Sequence, residues 1–566
     1  MTILGIDLGT TNTLCAVFVD NKSLLIPNVH GEYMTPSAIA INDDDEIIVG
    51  KAALDYSSIL KYQNVKGFKR YMGTNKVFQL GNNKFRAEEL SAIILQKIKK
   101  DAEMYLNITI ESAIISVPAY FNNKQRQATK IAGEIAGLKV IRLVNEPTAA
   151  AITYGITQKD DSTKYMIFDL GGGTFDVTVI ELFNGIIEVR SSAGDNFLGG
   201  NDFTDFIVQD FCNNSNLAYD RLNKVQQNKL WNMAEKCKIE INKNICTHQF
   251  EMSMSDNNTT YSYTYDVNKL DILFKPLVDR LMHPIKRSLN DSRLDPNELS
   301  AVVFVGGGSK IQTLSKICTK LFKKLPFTYH DPQLVVVMGV ATLAGMYENN
   351  VELKDYVLTD VSPYTLGVSC VSGDDNIGYE LEYAPIIERN STIPTSKSRI
   401  FYTHPKQDKI SINVYQGESR KLDNNIKISE FELNMGSSSN DVQEVHVRFT
   451  YDMNGILEVN VNLPKNNMSK NVVIRESCGN MTNEEISKAL ENIKDLKIHP
   501  RDCDVNTAVI SRAERMYEES LGEVRDEVSR AIKIFLNMLD QQNDNDINIA
   551  RNKFNDFLNT LEYTYE

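Results

Sequence analysis

The stretch that decides the fold is YMIFDLGGGTFDVTVIEL, residues 165–182. Two apolar runs flank three consecutive glycines at 171–173, with Asp169 before them and Asp176 after them. Glycines leave backbone N–H groups bare, so such a turn can close on a phosphate group. Carboxylates beside a phosphate loop favour a hard cation, most often Mg²⁺ that keeps its waters. Taken alone, the stretch is equally compatible with a tight β-hairpin that binds no ligand.

The same pattern occurs near the N-terminus. In ILGIDLGTTNTLCAVFV, residues 3–19, an apolar run again passes through Asp-Leu-Gly into a second apolar run, and Asp7 corresponds to Asp169. A third glycine run, VVFVGGGSKIQ at 302–312, follows another strand-like stretch. None of the three matches the P-loop or the dinucleotide-binding pattern. The repeat therefore predicts one nucleotide held between two lobes and disfavours the P-loop and Rossmann classes.

The composition limits the function classes. A chain of 566 residues predicts two to four domains, and a net charge of −13 disfavours nucleic acid as a partner. No apolar run is long enough to cross a membrane. The chain enters a strand by Ile3 with no basic region before it, which predicts a cytoplasmic protein. The eight cysteines and seven histidines are scattered, so we expect neither a disulfide framework nor a transition-metal site.

Residues 1 to about 355 alternate strand-like and helix-like patterns, which is typical of α/β organisation. SAIISVPAYF (112–121) predicts a strand, and residues 123–137 predict a helix that ends at a glycine. Residues 139–155 predict a strand, a turn and an alanine-rich helix.

Beyond Pro363 the apolar period changes to two. Ile410, Ile412 and Val414 alternate with polar residues, and the same alternation recurs at Leu457, Val459, Val461 and Leu463. This pattern predicts a half-buried antiparallel β domain that ends at about residue 478.

Near the C-terminus the period becomes helical. Thr482 is a plausible helix start. Two apolar stripes follow at helical spacing: Tyr517, Leu521, Val524, Val528, Ile532, Phe535 and Leu539, then Ile547, Ala550, Phe554, Phe557 and Leu561. We expect a small helical bundle in which the stripes pack on each other. Acidic residues outnumber basic ones in this region, which disfavours binding to an anionic membrane surface.

Six stretches resemble, in order and spacing, the 70-kDa heat-shock chaperone family. They are GIDLGTTNT, VPAYFNNKQRQATKIAGEIAGL, VNEPTAAA, FDLGGGTFDVTV, GDNFLGGNDF and VGGGSKIQ, and the β domain adds NSTIPTSKS and VYQGE. LTDVSPYTLGV and APIIERN are most similar to the compact bacterial branch typified by HscC.

The resemblance implies a multidomain chain. Its parts would be a two-lobed actin-like α/β ATPase domain (1–355), an interdomain linker (356–360), an antiparallel β-sandwich that binds peptides (361–478) and a small helical lid (479–566).

The resemblance also implies that ATP or ADP binds with Mg²⁺ between the lobes. The residues it places around the phosphates are Gly9, Thr10, Thr11, Asn12, Gly171, Gly172, Gly173 and Asp176. The residues it makes catalytic are Asp7, Lys69, Glu146, Asp169 and Thr174, with Asp7 and Asp169 holding the metal through its waters. Lys69 would stabilise charge that develops in phosphoryl transfer, and Glu146 would help to position the attacking water.

The family pattern around the adenosine is matched less closely. The matching positions are Gly199, Gly200, Glu235, Lys238, Gly306, Gly307, Gly308 and Lys310. Lys310 stands where the family usually has an arginine against the adenine, Asn201 replaces a glutamate and Gln312 replaces a proline. Arginine stacks on a planar base better than lysine does, so we expect altered nucleotide affinity and release rate.

Further positions match family residues that couple the two domains or bind peptide. The coupling positions are Pro118, Arg126, Arg142, Asn145 and Asp360, of which the last three are associated with J-domain docking and linker contact. The groove positions are Leu366, Val368, Val371, Phe401, His404, Ile410 and Ile412. Val371 and His404 replace the methionine and alanine of the usual arch, which implies different client selectivity. Each groove residue could instead be an ordinary core residue of the sandwich.

The resulting prediction is an ATP-dependent chaperone that binds and releases extended apolar segments of unfolded polypeptides. Its implied partners are unfolded clients and a J-domain co-chaperone. The segment SMSDNNTTYSY is short where some members carry a longer exchange-factor loop, so we expect an exchange factor to be dispensable. The alternatives are a small-molecule kinase on the same fold, which would leave residues 361–566 unused, and a non-enzymatic relative such as an exchange factor or a filament protein.

Overall fold

In the computed structural model the chain divides into two compact units. The first contains Met1–Tyr356, Asp360–Thr365 and Glu388–Asn390, and the second contains Val357–Thr359, Leu366–Ile387 and Ser391–Glu566. The structure describes residues 2–41, 47–54, 64–80, 83–155, 163–183, 186–243, 249–256, 259–328, 331–348, 357–374, 378–404, 407–435, 442–452, 455–466, 468–474, 506, 509–510, 512–513, 516–517, 520, 522–540 and 544–565.

The first unit contains most of the strands of the α/β part. In chain order they are β1 (Ile3–Leu8), β2 (Asn12–Val19), β3 (Lys22–Ile26), β4 (Thr35–Pro36), β5 (Ala38–Ile41), β6 (Ile47–Val49), β7 (Asn64–Lys66), β8 (Val77–Leu80), β9 (Asn83–Arg86), β10 (Ser112–Val117), β11 (Lys139–Asn145), β12 (Thr163–Leu170), β13 (Phe175–Phe183), β14 (Ile186–Asp195), β15 (Phe250–Asp256), β16 (Thr259–Tyr265) and β17 (Ala301–Val305). Strand β18 (Val357–Val361) contains residues of both units.

The helices described before residue 350 complete the α/β pattern of the first unit, and the last two described helices belong to the second unit. In chain order the helices are α1 (Ala87–Leu106), α2 (Asn123–Ile135), α3 (Glu146–Gly155), α4 (Gly200–Asn214), α5 (Lys224–Lys243), α6 (Val267–Leu273), α7 (Lys275–Ser292), α8 (Gln312–Phe322), α9 (Val335–Tyr347), α10 (Gly522–Asp540) and α11 (Asp544–Tyr565). Helix α2 ends just before Gly137, whose φ is +74°, and this confirms the glycine end that its sequence predicts. The preceding strand stops at Val117 rather than at residue 121, because Pro118 has no N–H to donate.

Two sheets of the first unit repeat one pairing pattern. In the first sheet, β1 lies parallel to β10 and antiparallel to β2. In the second, β12 lies parallel to β17 and antiparallel to β13. Asp7 and Asp169 thus occupy matching strands, as the repeated Asp-Leu-Gly turn predicts. Each sheet has its own apolar core, and all six residues of β10 are buried, as expected of a strand covered on both faces.

The second unit contains two antiparallel four-stranded sheets. Its strands are β19 (Leu366–Asp374), β20 (Gly378–Ile387), β21 (Thr392–Ile393), β22 (Thr395–Tyr402), β23 (Lys409–Gln416), β24 (Ile426–Asn434), β25 (Glu444–Tyr451), β26 (Leu457–Leu463) and β27 (Met468–Ile474). The neighbours are β20-β19-β23-β24 in one sheet and β22-β25-β26-β27 in the other, and one apolar core contains residues of both.

The alternation expected in these strands is confirmed with one exception. Ile410, Ile412 and Val414 are buried along β23, and the four apolar residues of β26 are buried as well. Glu458, however, is only 1 % exposed although its position in the pattern predicts contact with solvent. Its carboxylate accepts a hydrogen bond from Asn471 Nδ2, which supplies the partner that a buried polar group needs.

The C-terminal stripes pack on each other, as their spacing predicts. Val528, Phe535 and Leu539 of α10 share a core with Ile547 and Phe554 of α11. The rings of Phe535 and Phe554 lie 5.2 Å apart, centroid to centroid. The predicted helix start at Thr482, together with Leu521, lies outside the described residues. Among the helices that the structure describes, none combines the length and the apolar character that crossing a membrane would require.

Candidate functional site

The two aspartates of the repeated turns lie at the ends of matching strands and are both buried or nearly so. Asp7 accepts a 2.7 Å hydrogen bond from Ser116 Oγ at the end of β10. Asp169 lies opposite Asp176 in the β12–β13 register, and Asp176 accepts a 3.1 Å bond from the backbone N–H of Tyr120. The sheets therefore bring carboxylates from both repeats toward the segment that follows β10.

A buried ion pair joins this group. Lys69 lies on a 3₁₀ helix, Phe68–Tyr71, and its Nζ donates a 2.7 Å hydrogen bond to Glu146 Oε1 at the start of α3. The lysine side chain is 3 % exposed and the glutamate side chain 11 %. A point charge and a carboxylate are thus held together away from bulk water.

The carboxylates repel one another inside this low-dielectric environment. Burial raises the pKa of Asp7 to about 6, and the charge of Glu146 adds to the effect. Burial and Glu146 likewise raise the pKa of Asp176 to about 7. The pKa of Asp169 is raised well above its ordinary value by burial and by Glu146, Asp176 and Asp7. Four acidic side chains therefore lie near one ammonium group, Lys69, and their electrostatics favour an added cation.

Asp169 also shows where such a cation would interact. Its Oδ2 is buried and has no hydrogen-bond partner among the residues that the structure describes. An unpaired buried carboxylate oxygen is costly and suits a bound cation or its waters. The donor set of Asp7 and Asp169 therefore fits Mg²⁺ that retains part of its hydration shell.

The first two glycine turns touch each other. Gly171 N–H donates to Thr174 O at 3.0 Å, which closes the second turn. A Cβ placed on Gly172 would lie only 1.8 Å from Thr11 Oγ1, so any larger residue would displace the Thr11 side chain. Gly9 O accepts a 2.8 Å bond from Ser37 Oγ, which anchors the first turn before Asn12 begins β2. The turn residues predicted to surround phosphates are therefore brought together.

The predicted adenosine-side glycines adjoin the same turns. Gly200 N–H donates to Gly171 O at 2.9 Å and follows Gly199, and Lys238 Nζ donates to Gly200 O at 2.7 Å. The same ammonium group contacts Glu235 Oε2 at 2.7 Å. These contacts place the start of α4 between the second turn and helix α5.

The third glycine run, Gly306 to Gly308, packs against the end of β12. A Cβ on Gly306 would lie 2.7 Å from Asp169 Oδ1, and one on Gly308 would lie 2.8 Å from Leu170 O. Gly307 lies beside Gln333, and Lys310 Nζ donates to Gln333 Oε1 at 3.0 Å. Lys310 is thus held by a neighbouring loop rather than by the carboxylate cluster.

Three of the predicted coupling residues, Arg126, Asn145 and Asp360, form a chain of hydrogen bonds within the first unit. Arg126, the fourth residue of α2 and eight positions after Pro118, donates to the carbonyl oxygen of Phe121 at 3.2 Å and contacts Asn145 Oδ1. Asn145 Nδ2 then donates to Asp360 Oδ2 at 2.8 Å. Burial raises the pKa of Asp360, while its hydrogen bonds and nearby arginines oppose the shift.

Arg142 takes no direct part in this chain of hydrogen bonds as described. Its Nη1 donates to the hydroxyl oxygen of Tyr347 at 3.4 Å, and its charge lowers the proton affinity of Asp360.

The predicted groove residues differ in exposure. Four belong to the buried core of the sandwich, and Phe401 packs partly against that core. The four are Leu366, Val368, Ile410 and Ile412. Val371, in contrast, is 50 % exposed and lies opposite Leu381, and His404 is exposed beyond the end of β22.

Several residues that complete these arrangements stand in no distinctive sequence pattern. Ser116 and Tyr120 hold the aspartates, and Thr148 Oγ1 donates to Asp360 at 3.2 Å. Arg70, next to Lys69, forms an ion pair with Asp202. The available signal was proximity in sequence to predicted site residues, but a second basic residue in a turn is usually a solvated surface charge.

A comparison with protein-family models agrees with this geometry. The model described as Hsp70 protein matches residues 3–562. The match spans both compact units and every strand and helix that carries the site. The chain belongs to the Hsp70 family.

Proposed function

We propose that this protein is an ATP-driven chaperone that binds extended apolar segments of unfolded polypeptides. Hsp70 family membership supports a chaperone role, and proteins of this family are ATPases. The observation that carries the proposal is the buried Lys69–Glu146 pair beside Asp7 and Asp169, where two glycine turns meet. That arrangement combines donors for phosphate oxygens with carboxylates for a hydrated cation.

Each group of residues in this site would have a separate role in ATP hydrolysis. Bare N–H groups of the turns at 9–12 and 171–174 would bind the phosphates of ATP. Lys69 would direct its positive charge at the terminal phosphate, and Glu146, fixed by Lys69, would orient the attacking water. Asp7 and Asp169 would hold Mg²⁺ through waters, and the bound ion would neutralise negative charge on the phosphate oxygens.

We assign the parts of the chain as the resemblance implies. Residues 1–355 form the two-lobed ATPase domain, 356–360 the linker, 361–478 the peptide-binding sandwich and 479–566 the helical lid. The inclusion of Asp360–Thr365 in the first compact unit supports a linker that interacts with the ATPase domain. Asn145, Thr148 and Asp360 would then transmit nucleotide state to the sandwich, and the coupling must be reciprocal.

The finer identity is also a proposal. We place the protein in the compact bacterial HscC-type branch, in the cytoplasm, with a J-domain co-chaperone and little need for an exchange factor. Lys310 is held by Gln333 and Asp331, so it is poorly placed to replace an arginine stacked on adenine. This supports weaker adenosine binding and faster nucleotide release than an arginine would give.

The decisive experiment measures the dissociation rate of a fluorescent apolar heptapeptide with and without ATP and Mg²⁺. Faster release with ATP is the expected result. Glu146→Ala then distinguishes coupling from hydrolysis: peptide release that still accelerates assigns Glu146 to hydrolysis alone. No peptide binding under any condition would refute the chaperone assignment and favour a small-molecule kinase, which a sugar-phosphorylation assay would test.

A further inference from the structure

The position of Lys69 depends on the chain segment that follows it. Lys69 lies on the 3₁₀ helix Phe68–Tyr71, which is four residues long, and a 3₁₀ helix has poorer hydrogen-bond geometry than an α-helix. The helix ends at Met72, and at Gly73 the chain turns with a φ of +71°. Because so short a helix gives little rigidity, the contacts made by residues 72–74 help to determine where the ammonium group of Lys69 lies.

The starts of two helices hold this segment. In the first turn of α1, Glu88 is buried and its Oε1 accepts a 3.3 Å hydrogen bond from the backbone N–H of Gly73. Three residues later, Ser91 Oγ donates to the Sδ of the buried Met72 at 3.4 Å. A Cβ placed on Gly73 would also lie 2.8 Å from the carbonyl carbon of Lys124, at the start of α2. The segment therefore has little room to move relative to α1 and α2.

Glu88 and Arg86 do not form a bidentate ion pair, although they are neighbours. Arg86 Nη2 lies 3.6 Å from Glu88 Oε1. Glu88 Oε2 and Arg86 Nε are both buried, and neither has a hydrogen-bond partner within the described ranges of the chain. Two parallel N–H···O bonds between the side chains would satisfy both atoms.

Both side chains are directed instead at the loop that follows Lys69. Arg86 Nη2 donates to the carbonyl oxygen of Thr74 at 3.4 Å, and Glu88 binds the preceding residue. Two buried polar atoms stay unpaired as a result, which costs free energy. A buried polar group without a partner calls for an explanation, and the fixed position of this loop supplies one.

We infer that Glu88 is a positioning residue for Lys69: it fixes the end of the 3₁₀ helix and thereby the place of the ammonium group. The inference rests on the proposed ATPase function, in which Lys69 directs its charge at the terminal phosphate. Glu88 acts through the backbone of Gly73 and not on the nucleotide. Misplacement of a catalytic group by about 1 Å is enough to lower a rate about 100-fold, so a hydrogen bond that fixes this segment affects hydrolysis.

The first experiment needs no nucleotide and measures hydrogen–deuterium exchange of backbone amides in the full chain. Glu88→Leu removes the acceptor of Gly73 N–H, so residues 72–74 should exchange about fivefold faster, the factor that one lost hydrogen bond gives. Glu88→Gln keeps an acceptor oxygen and should exchange as the native protein does.

Glu89→Ala is the matched control. Glu89 is exposed in the same helical turn and accepts a 2.7 Å hydrogen bond from the backbone N–H of Arg86, which caps α1. Its removal should speed exchange at the start of α1 and leave residues 72–74 unchanged, because the contact between Glu88 and Gly73 remains.

The second experiment measures single-turnover ATP hydrolysis with Mg²⁺ and, separately, ATP affinity. Glu88→Leu should hydrolyse bound ATP about tenfold more slowly, while its ATP affinity stays within about twofold of the native value. Glu88→Gln should recover most of the native rate, and Glu89→Ala should hydrolyse ATP at the native rate. Gly73→Ala is a second variant that displaces the segment, because a Cβ there meets the backbone of α2, and it should lower the rate in the same way.

Native exchange of residues 72–74 in Glu88→Leu would overturn the inference, because the contact would then not hold the segment. So would a rate loss no larger than that of Glu89→Ala, or a loss of ATP affinity as large as the loss of rate. A native protein that hydrolyses no ATP would refute the proposed function itself, while the exchange measurement would still decide whether Glu88 holds the segment.

Discussion

The ammonium group of Lys69 and the carboxylate of Glu146 form a 2.7 Å ion pair that is almost entirely buried. Removal of one partner leaves the other charge buried and uncompensated, which is far costlier than removal of both. Lys69→Met should therefore destabilise the nucleotide-free protein by about 3 kcal/mol. Adding Glu146→Gln should restore most of that loss, as measured by urea unfolding. Strictly additive losses would contradict the coupling.

The same pair is expected to act in catalysis. Lys69→Met should lower the single-turnover rate of ATP hydrolysis by about 100-fold or more, because one preorganised charge near the reacting phosphate is lost. ATP affinity, measured by equilibrium binding of a fluorescent analogue, should change far less. A hydrolysis rate within a few-fold of the native rate would remove Lys69 from the catalytic group.

Asp360 should control communication between nucleotide and peptide. Asp360→Ala leaves the donors of Asn145 and Thr148 without their acceptor and should cost about 1–3 kcal/mol. ATP should then no longer accelerate peptide release. Asp360→Asn is the milder control, because burial already raises the pKa of this carboxyl and an amide oxygen can still accept. Normal ATP-accelerated release in Asp360→Ala would show that this contact is not part of the coupling.

We expect Lys66 of β7, which lies over the ring of Trp231 on α5, to give nucleotide release a pH dependence. Its Nζ lies 3.4 Å from the ring centroid of Trp231, and burial lowers the pKa of Lys66 to about 8, against the opposing charges of Glu235 and Asp205. When the contact between Lys66 and Trp231 opens, we expect the pKa of Lys66 to return to its ordinary value of 10.5. Between about pH 8 and pH 10.5 the closed state therefore binds fewer protons than the opened state. The free-energy cost of burying the charged lysine is fully present below pH 8 and is relieved as the pH rises.

ADP dissociation should accordingly slow several-fold between about pH 7.5 and 9.5. Lys66→Met should release ADP slowly throughout and lose this dependence. Trp231 is the only tryptophan in the chain, so its fluorescence reports the same transition directly. Faster ADP release with rising pH in the native protein, or an unaltered profile in Lys66→Met, would contradict the assignment.

Two variants distinguish residues of the sandwich core from residues that bind peptide. Ile412 is 6 % exposed within the apolar core, so Ile412→Ala should cost about 2–5 kcal/mol of unfolding free energy. Val371 is 50 % exposed, so Val371→Ala should change stability by less than about 0.5 kcal/mol while it alters peptide affinity. Denaturant unfolding and heptapeptide binding measure both. A stable Ile412→Ala protein with weakened peptide binding would make Ile412 a groove residue instead.

Sequence patterns alone predicted much of this protein. The repeated Asp-Leu-Gly turns identified the paired sheets, and two-residue alternation identified β23 and β26, because both depend on interactions between residues close in the chain. The same local patterns misplaced the end of β10 and the exposure of Glu458. Those depended on the missing N–H of Pro118 and on a partner, Asn471, from the next strand.

Only the tertiary structure decided which charges meet. Lys69 and Glu146 are 77 residues apart, Arg70 and Asp202 are 132 apart, and Asn145 and Asp360 are 215 apart. Lys69 and Arg70 are neighbours in one turn, and no local sequence pattern predicts that they pair with different carboxylates. The sequence determined which elements form, since hydrophobic period and turn chemistry act over a few residues. The packing of those elements determined the site, because a pKa, an ion pair or an unpaired donor depends on every group that surrounds it.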